Sequence, residues 1–158
     1  MADEKTNVTR LLERGGIAFT LRTFDVSDGA LDGVTAARRA GVDPAACFKT
    51  LVTVGASGRN YVFVVPVERE LDLKAAARAA GEKSVEMLRQ AKLLPLTGYV
   101  HGGCSPIGMK KRFPTFLDES ARDLPEMTVS AGKVGRQITL APADLAGFVG
   151  AEFAPVSK

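Results

Sequence analysis

The sequence predicts a single α+β domain, residues 1–158, with a mostly antiparallel, barrel-like mixed sheet flanked by helices. A chain of 158 residues fits one domain and is long enough to bury a hydrophobic core. Short runs of strand-forming residues are separated by glycine-bearing turns, a pattern typical of antiparallel hairpins. Segments with apolar residues at helical spacing stand between these runs, which indicates a mixed α+β arrangement.

In the N-terminal part, apolar residues recur at helical spacing over residues 6–14, and Gly15 follows where the helix would end. The run at residues 17–24 is rich in strand formers and predicts a first strand. Glycine, alanine, serine and aspartate over residues 27–33 predict a loop. Residues 34–40 predict a second helix.

The central part predicts a hairpin followed by two helices. Residues 48–54 and 60–67 are β-rich and apolar on both faces, so we expect both strands to be covered on each side. Asp72 is placed to cap a helix over residues 73–80, and Ser84 to cap another that reaches about residue 93. Later runs predict three more strands, at residues 112–117, 127–130 and 137–140, and a final helix over residues 142–147.

Charge and cysteine content narrow the class of protein. The net charge of +3 is small, so it permits a polyanionic partner without requiring one. Cys47 and Cys104 form no CxxC pair, so neither a zinc site nor a disulfide framework is indicated. No apolar signal segment and no run of 18 apolar residues appears, which predicts a cytoplasmic protein without a membrane anchor.

Lys49 is a charged residue inside an apolar strand. It shares a face of that strand with Cys47 and Leu51, and the opposite face is also largely apolar. Because an unpaired buried ammonium is unfavourable, Lys49 must reach a pocket, an anion or the solvent at the end of the strand.

Residues 98–108, GYVHGGCSPIG, contain four glycines, the single histidine and one of the two cysteines. So many glycines indicate a positive φ or a close approach of backbone to a ligand, although a tight connecting loop explains them equally well. A Cys/His site is the weaker interpretation, because the spacing of His101 and Cys104 in a glycine-rich loop fixes no catalytic geometry. No GxGxxG or P-loop signature supports nucleotide binding of those kinds.

Basic residues follow this glycine-rich segment directly. Lys110, Lys111 and Arg112 form a contiguous run that is either a solvated turn or a phosphate-binding surface. Lys133 and Arg136 in the later glycine-bearing turn would extend such a surface.

Several motifs, in this order and spacing, resemble the YbaK family over about residues 8–153. They are residues 48–51 (FKTL), 71–74 (LDLK), 85–87 (VEM), 97–108 with the basic run 110–112, and 129–133 (VSAGK). That family contains trans-editing Cys-tRNA(Pro) deacylases and is related to the editing domain inserted in bacterial prolyl-tRNA synthetases.

The resemblance implies hydrolysis of the ester that joins a wrong amino acid to the 3′ end of tRNA(Pro). A synthetic pocket of proline size cannot reject similarly small amino acids by binding alone, so a separate editing step is needed. In the YbaK type the thiol of the substrate cysteine attacks the ester carbonyl and forms a thiolactone. That route implies no cofactor, metal or protein nucleophile, and the expected partners are the tRNA(Pro) acceptor end and prolyl-tRNA synthetase.

The resemblance also implies roles for individual residues. Lys49 matches the essential lysine that orients the 3′-terminal substrate, with Thr50 beside it, and Gly102 and Gly103 match the pair that cradles the aminoacyl group. The remaining substrate-binding and tRNA-binding candidates are Phe24, Ser130, Lys110, Lys111, Arg112 and Lys133. Phe24 and Gln137 stand where family members often carry tyrosine and aspartate, so the preferred amino acid stays open.

Two other functions remain as alternatives. One is a deacylase for a different mischarged tRNA, such as Ala-tRNA(Pro). The other is a non-catalytic module that binds tRNA or a synthetase through its basic loop. A thiol hydrolase that uses Cys104 and His101 is a third hypothesis, which substitution of these two residues would test.

Overall fold

The computed structural model describes residues 5–26 and 32–158, and within them it is an α+β domain. Most of the loop predicted at residues 27–33 lies outside the described residues. The helices are α1 (Asn7–Arg14), α2 (Gly33–Arg39), α3 (Leu73–Ala80), α4 (Leu93–Thr97) and α5 (Pro142–Val149). The strands are β1 (Thr20–Thr23), β2 (Phe48–Gly55), β3 (Asn60–Pro66), β4 (Val85–Met87), β5 (Thr115–Asp118), β6 (Met127–Lys133), β7 (Arg136–Leu140) and β8 (Glu152–Ala154).

The strands form two sheets that do not close into one barrel. A three-stranded antiparallel sheet has the order β1-β7-β6, and a five-stranded sheet has the order β4-β2-β3-β5-β8. In the second sheet β5 runs parallel to both β3 and β8. An isolated parallel bridge between Cys47 and Thr128 links the sheets. The predicted fold class is therefore confirmed.

Local sequence signals explain the helix ends that were predicted correctly. The Thr6 and Thr9 side chains form a capping box at the start of α1. Asp72 accepts hydrogen bonds from the backbone N–H groups of Lys74 and Ala75, and α3 ends at Gly81 with φ of 71°.

Apolar residues cover both sheets. One cluster joins α1 and α5 to the three-stranded sheet and includes Leu12, Ile138 and Leu145. A second cluster packs α3 against the five-stranded sheet, where the rings of Phe63 and Phe116 stack at 5.3 Å. Burial of these side chains holds the strands that carry the site, since each large apolar residue contributes about 1.5–3 kcal/mol when buried.

The predicted helix over residues 84–93 is wrong. Val85–Met87 instead forms β4 and pairs with Thr53–Gly55 at the end of β2, and helix α4 begins only at Leu93. Ser84 alone could not reveal this, because the pairing depends on a free strand edge that lies far away in the sequence. Pro95 lies in the first turn of α4, where proline is tolerated.

Two other predicted strands differ from the observed strands in their bounds. The first predicted strand, residues 17–24, is reduced to Thr20–Thr23, and the run predicted at 112–117 forms a strand only over Thr115–Asp118. Strand β8 was not predicted. It follows α5 closely and adds a parallel strand beside β5. Within the described residues no helix is long and apolar enough to cross a membrane.

Candidate functional site

A cavity of about 220 Å³ lies between the two sheets. Residues 48–51 of β2 line it from the five-stranded sheet, and the β6–β7 hairpin lines it from the three-stranded sheet. Residues 98–108, called the glycine loop below, contribute a third wall. Five of the predicted substrate-site residues line this cavity: Phe24, Lys49, Thr50, Gly102 and Ser130.

The cavity borders an edge of β2 that lacks a strand neighbour in the described structure. β2 pairs with β3 from Phe48 to Val54, but it pairs with β4 only over Thr53–Gly55. Residues 48–51 come before that second pairing. An unpaired strand edge leaves space and polar backbone groups that a ligand can occupy.

Lys49 is half-buried on this stretch of β2. Burial lowers the pKa of its ammonium group, and the carboxylate of Glu70 partly opposes that shift. Within the described residues the Lys49 side chain makes no hydrogen bond or salt bridge that would neutralise it. Its cation therefore remains available to an anionic or carbonyl group in the cavity.

Three buried side-chain atoms of the described residues have no hydrogen-bond partner. They are Oγ1 of Thr50, Nε of Arg136 and Oε1 of Gln137, and all three residues line the cavity. A buried polar atom without a partner costs about 1–3 kcal/mol, so such atoms are rare. The wall of the cavity thus contains a hydroxyl, a guanidinium N–H and an amide carbonyl whose hydrogen-bonding capacity is unused.

Hydrogen bonds within the protein orient three of the residues that line the cavity. Nε2 of Gln137 donates to Sγ of Cys47 at 3.7 Å, which leaves Oε1 as the unpartnered atom. Oγ of Ser130 accepts a hydrogen bond from the N–H of Gly132 at 3.1 Å. The N–H of Phe24 donates to the carbonyl of Gly135 at 3.1 Å, which joins the end of β1 to the β6–β7 hairpin.

Gly102 and Gly103 occupy different positions. Gly102 is exposed, lines the cavity and has a φ of +86°, a conformation that favours glycine. Gly103 is buried behind it, and its N–H donates to the carbonyl of Val100 at 3.0 Å. A Cβ on Gly103 would lie 3.1 Å from the backbone nitrogen of Val134. Gly103 thus permits close packing of two loops, while Gly102 faces the cavity.

Hydrogen bonds fix both ends of the glycine loop. The hydroxyl of Tyr99 donates to the carbonyl of Ile107 across the loop. The hydroxyl of Thr97 accepts a bond from the N–H of Tyr99 at 3.0 Å and donates to the carbonyl of Leu93 at 2.7 Å. These hydrogen bonds hold the two ends of the loop close together.

His101 and Cys104 line the same cavity but differ in exposure. His101 is exposed, whereas Cys104 is buried, and burial raises the pKa of its thiol to about 12. Burial also raises the pKa of the Cys47 thiol to about 11. Because the thiolate is the reactive form of cysteine, both thiols are poor nucleophiles at neutral pH. No hydrogen bond joins His101 to Cys104 within the described structure.

The basic residues predicted to bind tRNA lie outside the cavity. Lys110, Lys111, Arg112 and Lys133 are exposed. Nζ of Lys110 comes within 3.5 Å of the carbonyl of Pro95, and the backbone of Lys133 packs on Gly103. Lys110 thus makes one long hydrogen bond to Pro95, and all four exposed side chains lie where phosphates near the glycine loop can reach them.

Several cavity residues were missed as site residues by sequence analysis: Asp32, Ala36, Leu93 and Val134. Arg136 was predicted only to extend the basic surface, and it lines the cavity. The signal for Arg136 was present, since it is a charged residue at the start of an apolar strand, as Lys49 is. Both oxygens of the Asp32 carboxylate accept hydrogen bonds from Thr35, and its pKa is lowered by the backbone N–H and hydroxyl of that residue.

A family model described as an aminoacyl-tRNA editing domain matches residues 30–148. The chain belongs to the aminoacyl-tRNA editing domain family. The match covers more than half of the chain and includes every residue that lines the cavity except Phe24. The YbaK-type resemblance noted in the sequence is thus confirmed.

This editing domain is 44% identical over 154 residues to a candidate Cys-tRNA(Pro)/Cys-tRNA(Cys) deacylase, EbsC, from Enterococcus faecalis. The alignment covers 98% of this chain and 94% of that protein. The two proteins therefore have nearly the same extent.

Solved structures support the same fold. A candidate trans-editing enzyme for prolyl-tRNA synthetase superposes with a TM-score of 0.81 at 26% identity, covering 97% of this editing domain and 98% of that chain. The hypothetical protein APE2540 gives a TM-score of 0.85 at 22% identity, covering 97% and 100% of the two chains, and is evidence for the fold alone.

Proposed function

We propose that this editing domain is a trans-editing deacylase that hydrolyses the ester of mischarged Cys-tRNA(Pro). The observation that carries the proposal is the small cavity lined by Lys49 and by three residues, Thr50, Arg136 and Gln137, that each carry a polar atom without a partner. An aminoacyl ester offers matching groups, namely an ammonium, a carbonyl and a ribose hydroxyl. The deacylase relative and the editing-domain match support the same reaction.

The size of the cavity favours a small aminoacyl group. At about 220 Å³ it lies below the roughly 300–1,000 Å³ typical of sites for larger ligands. The aminoacyl ester and the adjacent ribose would occupy it, and the rest of the acceptor end would lie outside. There the exposed Lys110, Lys111, Arg112 and Lys133 would neutralise phosphates.

The reaction uses a nucleophile carried by the substrate. The thiol of the bound cysteine attacks its own ester carbonyl, the ester C–O bond breaks, and the terminal ribose oxygen leaves and takes the proton. The products are a thiolactone and free tRNA, and water then opens the thiolactone to cysteine. The two buried thiols of the chain, with their raised pKa values, fit a mechanism that needs no protein thiolate.

Lys49 and the cavity wall would position the substrate for this attack. The ammonium of Lys49 stabilises negative charge near the ester, while Oε1 of Gln137 accepts a hydrogen bond from the substrate ammonium or hydroxyl. Gly102 of the glycine loop adds no side chain to the cavity that it lines, which leaves space for the aminoacyl group. Because a cyclic attack requires precise geometry, positioning is the main contribution of the protein.

Deacylation assays with Cys-tRNA(Pro), Ala-tRNA(Pro) and Ser-tRNA(Pro) test the function. We expect the fastest ester loss with Cys-tRNA(Pro), and a loss of about 100-fold or more in the Lys49→Ala variant. Lys74→Ala, at an exposed position on α3, is the matched control and should keep full activity. Absence of ester loss with all three substrates would overturn the proposal, and salt-sensitive tRNA binding without turnover would indicate a binding module instead.

The same assay separates substrate choices. Hydrolysis of Ala-tRNA(Pro) at a rate equal to that of Cys-tRNA(Pro) would contradict the thiol-dependent route, since alanine cannot form a thiolactone. Detection of the thiolactone, by trapping it with an amine and mass spectrometry, would support that route directly. Pull-down of prolyl-tRNA synthetase with the tagged protein, with and without tRNA, tests the expected protein partner.

A further inference from the structure

Arg136 is the first residue of β7 and lies in the cavity wall beside the β6–β7 turn. One terminal nitrogen, Nη1, donates to the carbonyl of Gly135 at 3.2 Å, which anchors the guanidinium to its own turn. The Nε atom is buried and has no partner among the described residues. Nη1 of Arg136 is thus hydrogen-bonded within the protein, whereas Nε is buried without a hydrogen bond.

The charges around the cavity are unbalanced. Lys49 and Arg136 contribute two cations from opposite sheets. The single carboxylate among the described lining residues is that of Asp32, and both of its oxygens accept hydrogen bonds from Thr35. Glu70 acts on Lys49 through its charge without lining the cavity, whereas Arg136 has no salt bridge to a carboxylate among the described residues, so it favours an anion of the ligand.

An aminoacylated tRNA end carries one kind of anion near the ester. The aminoacyl group itself is cationic, so the nearest negative charge is the phosphodiester on the 5′ side of the terminal adenosine. Arginine suits this group because its planar guanidinium donates two parallel hydrogen bonds to phosphate oxygens. The cavity is too small to hold the whole nucleotide, and Arg136, the first residue of β7, is the arginine among its described lining residues.

We propose that Arg136 binds the phosphodiester 5′ to the terminal adenosine and thereby sets how deeply the aminoacyl ester enters the cavity. This inference rests on the proposed function, since it takes an aminoacylated tRNA end as the ligand. It adds a substrate-binding residue on the three-stranded sheet opposite Lys49. The phosphate contact would limit how far the aminoacyl end enters the cavity, so that the ester carbonyl lies next to the other lining residues.

Binding of non-hydrolysable analogues tests this role without any turnover. The probe is adenosine with cysteine in a 3′-amide linkage, prepared with a 5′-hydroxyl or with a 5′-(methyl phosphate) group. Calorimetry should show that the phosphate diester tightens binding to the unmodified protein about 10- to 100-fold, the range expected for charge-assisted hydrogen bonds. In Arg136→Leu that gain should fall below about 3-fold, and Arg136→Lys should keep part of it because it retains only a point charge.

Control measurements make the result specific. Arg78→Leu, at an exposed position on α3, removes an equal charge outside the cavity and should keep the full phosphate effect. A melting temperature of Arg136→Leu close to that of the unmodified protein shows that the variant is folded; if it does not fold, Arg136→Gln replaces it in the same comparison. An equal phosphate effect in the unmodified protein and the variants, or none in the unmodified protein, overturns the inference. Failure of the proposed function appears separately, as absence of ester hydrolysis by the unmodified protein.

Discussion

Oγ1 of Thr50 is buried beside the cavity without a partner, whereas Oγ1 of Thr53, three residues further along the same strand, donates to the carbonyl of Tyr61 at 3.1 Å. One strand therefore contains a satisfied hydroxyl in the core and an unsatisfied one at the site. Sites of function often retain such locally unfavourable groups because a ligand supplies the missing contact.

The substitution Thr50→Val should separate stability from activity. Valine has nearly the same shape and removes an unsatisfied hydroxyl, so we expect the free energy of unfolding to stay equal or rise by about 1 kcal/mol. Deacylation should fall about 10-fold, since the substrate loses a hydrogen bond. Thr53→Val is the matched control: it should lower the stability and leave the activity of the folded protein intact. Chemical denaturation and initial rates check both variants, and full activity in Thr50→Val would remove Thr50 from the site.

The substitution Gly103→Ala should displace the glycine loop. The new methyl group would lie 3.1 Å from the backbone nitrogen of Val134 and 3.3 Å from the carbonyl carbon of Lys133, and backbone atoms cannot move aside easily. We expect a destabilisation of about 1–3 kcal/mol and a marked loss of kcat/KM in the folded fraction. Gly147→Ala in α5, where a Cβ meets nothing within 4 Å, is the control and should leave activity unchanged. Wild-type kinetics in Gly103→Ala would show that the contact between Gly103 and Val134 does not determine the geometry of the site.

Replacement of the thiol and the imidazole should have little effect. Because burial keeps the Cys104 thiol protonated at neutral pH, Cys104→Ala and His101→Ala should each retain deacylation within about 3-fold. Cys104→Ser, which places a hydroxyl in a buried position, should lower the melting temperature more than Cys104→Ala does. Abolished activity in both Cys104→Ala and His101→Ala, with folding preserved, would instead favour the thiol hydrolase hypothesis.

The pH dependence of the reaction should reflect Lys49. Burial lowers its pKa below the ordinary 10.5, so the ammonium loses its proton earlier on the alkaline side, and activity should fall there after correction for spontaneous ester hydrolysis. The linked effect on stability has the opposite sign. The cost of burying the cation is present below the folded-state pKa and disappears as pH rises to the unfolded-state value, so this group favours folding more at high pH.

Glu70 provides the specific test of that assignment. Its carboxylate raises the pKa of Lys49, so Glu70→Gln should move the alkaline limb of the rate profile to lower pH. Glu68→Gln, at a neighbouring exposed position, is the control and should leave the limb in place. If Glu70→Gln leaves the alkaline limb of the rate profile unchanged, a group other than Lys49 is responsible for the loss of activity at high pH.

Local patterns predicted most of the elements and part of the site. Asp72 and Gly81 mark the ends of α3, and Lys49 stands out because a cation is unfavourable in an apolar strand. The helix predicted at residues 84–93 failed because β4 depends on a free edge of β2 and not on its own propensity. Arg136 and Gln137 could not be assigned to one cavity with Thr50, since only the approach of two sheets brings them together. Gly103 likewise acquires its role from Val134, a neighbour in space alone.

The isolated bridge between Cys47 and Thr128 joins the two sheets that enclose the cavity. A ligand that contacts Lys49 on one sheet and Gln137 on the other adds contacts between the sheets, so binding stabilises the folded state. The melting temperature should therefore rise with analogue concentration, following RT ln(1 + [L]/Kd). Amide hydrogen exchange should slow most at the start of β2 and along β6, while exchange in α3, which does not line the cavity, should change little. Equal slowing everywhere would mean that the ligand stabilises the whole fold without a local effect at the cavity.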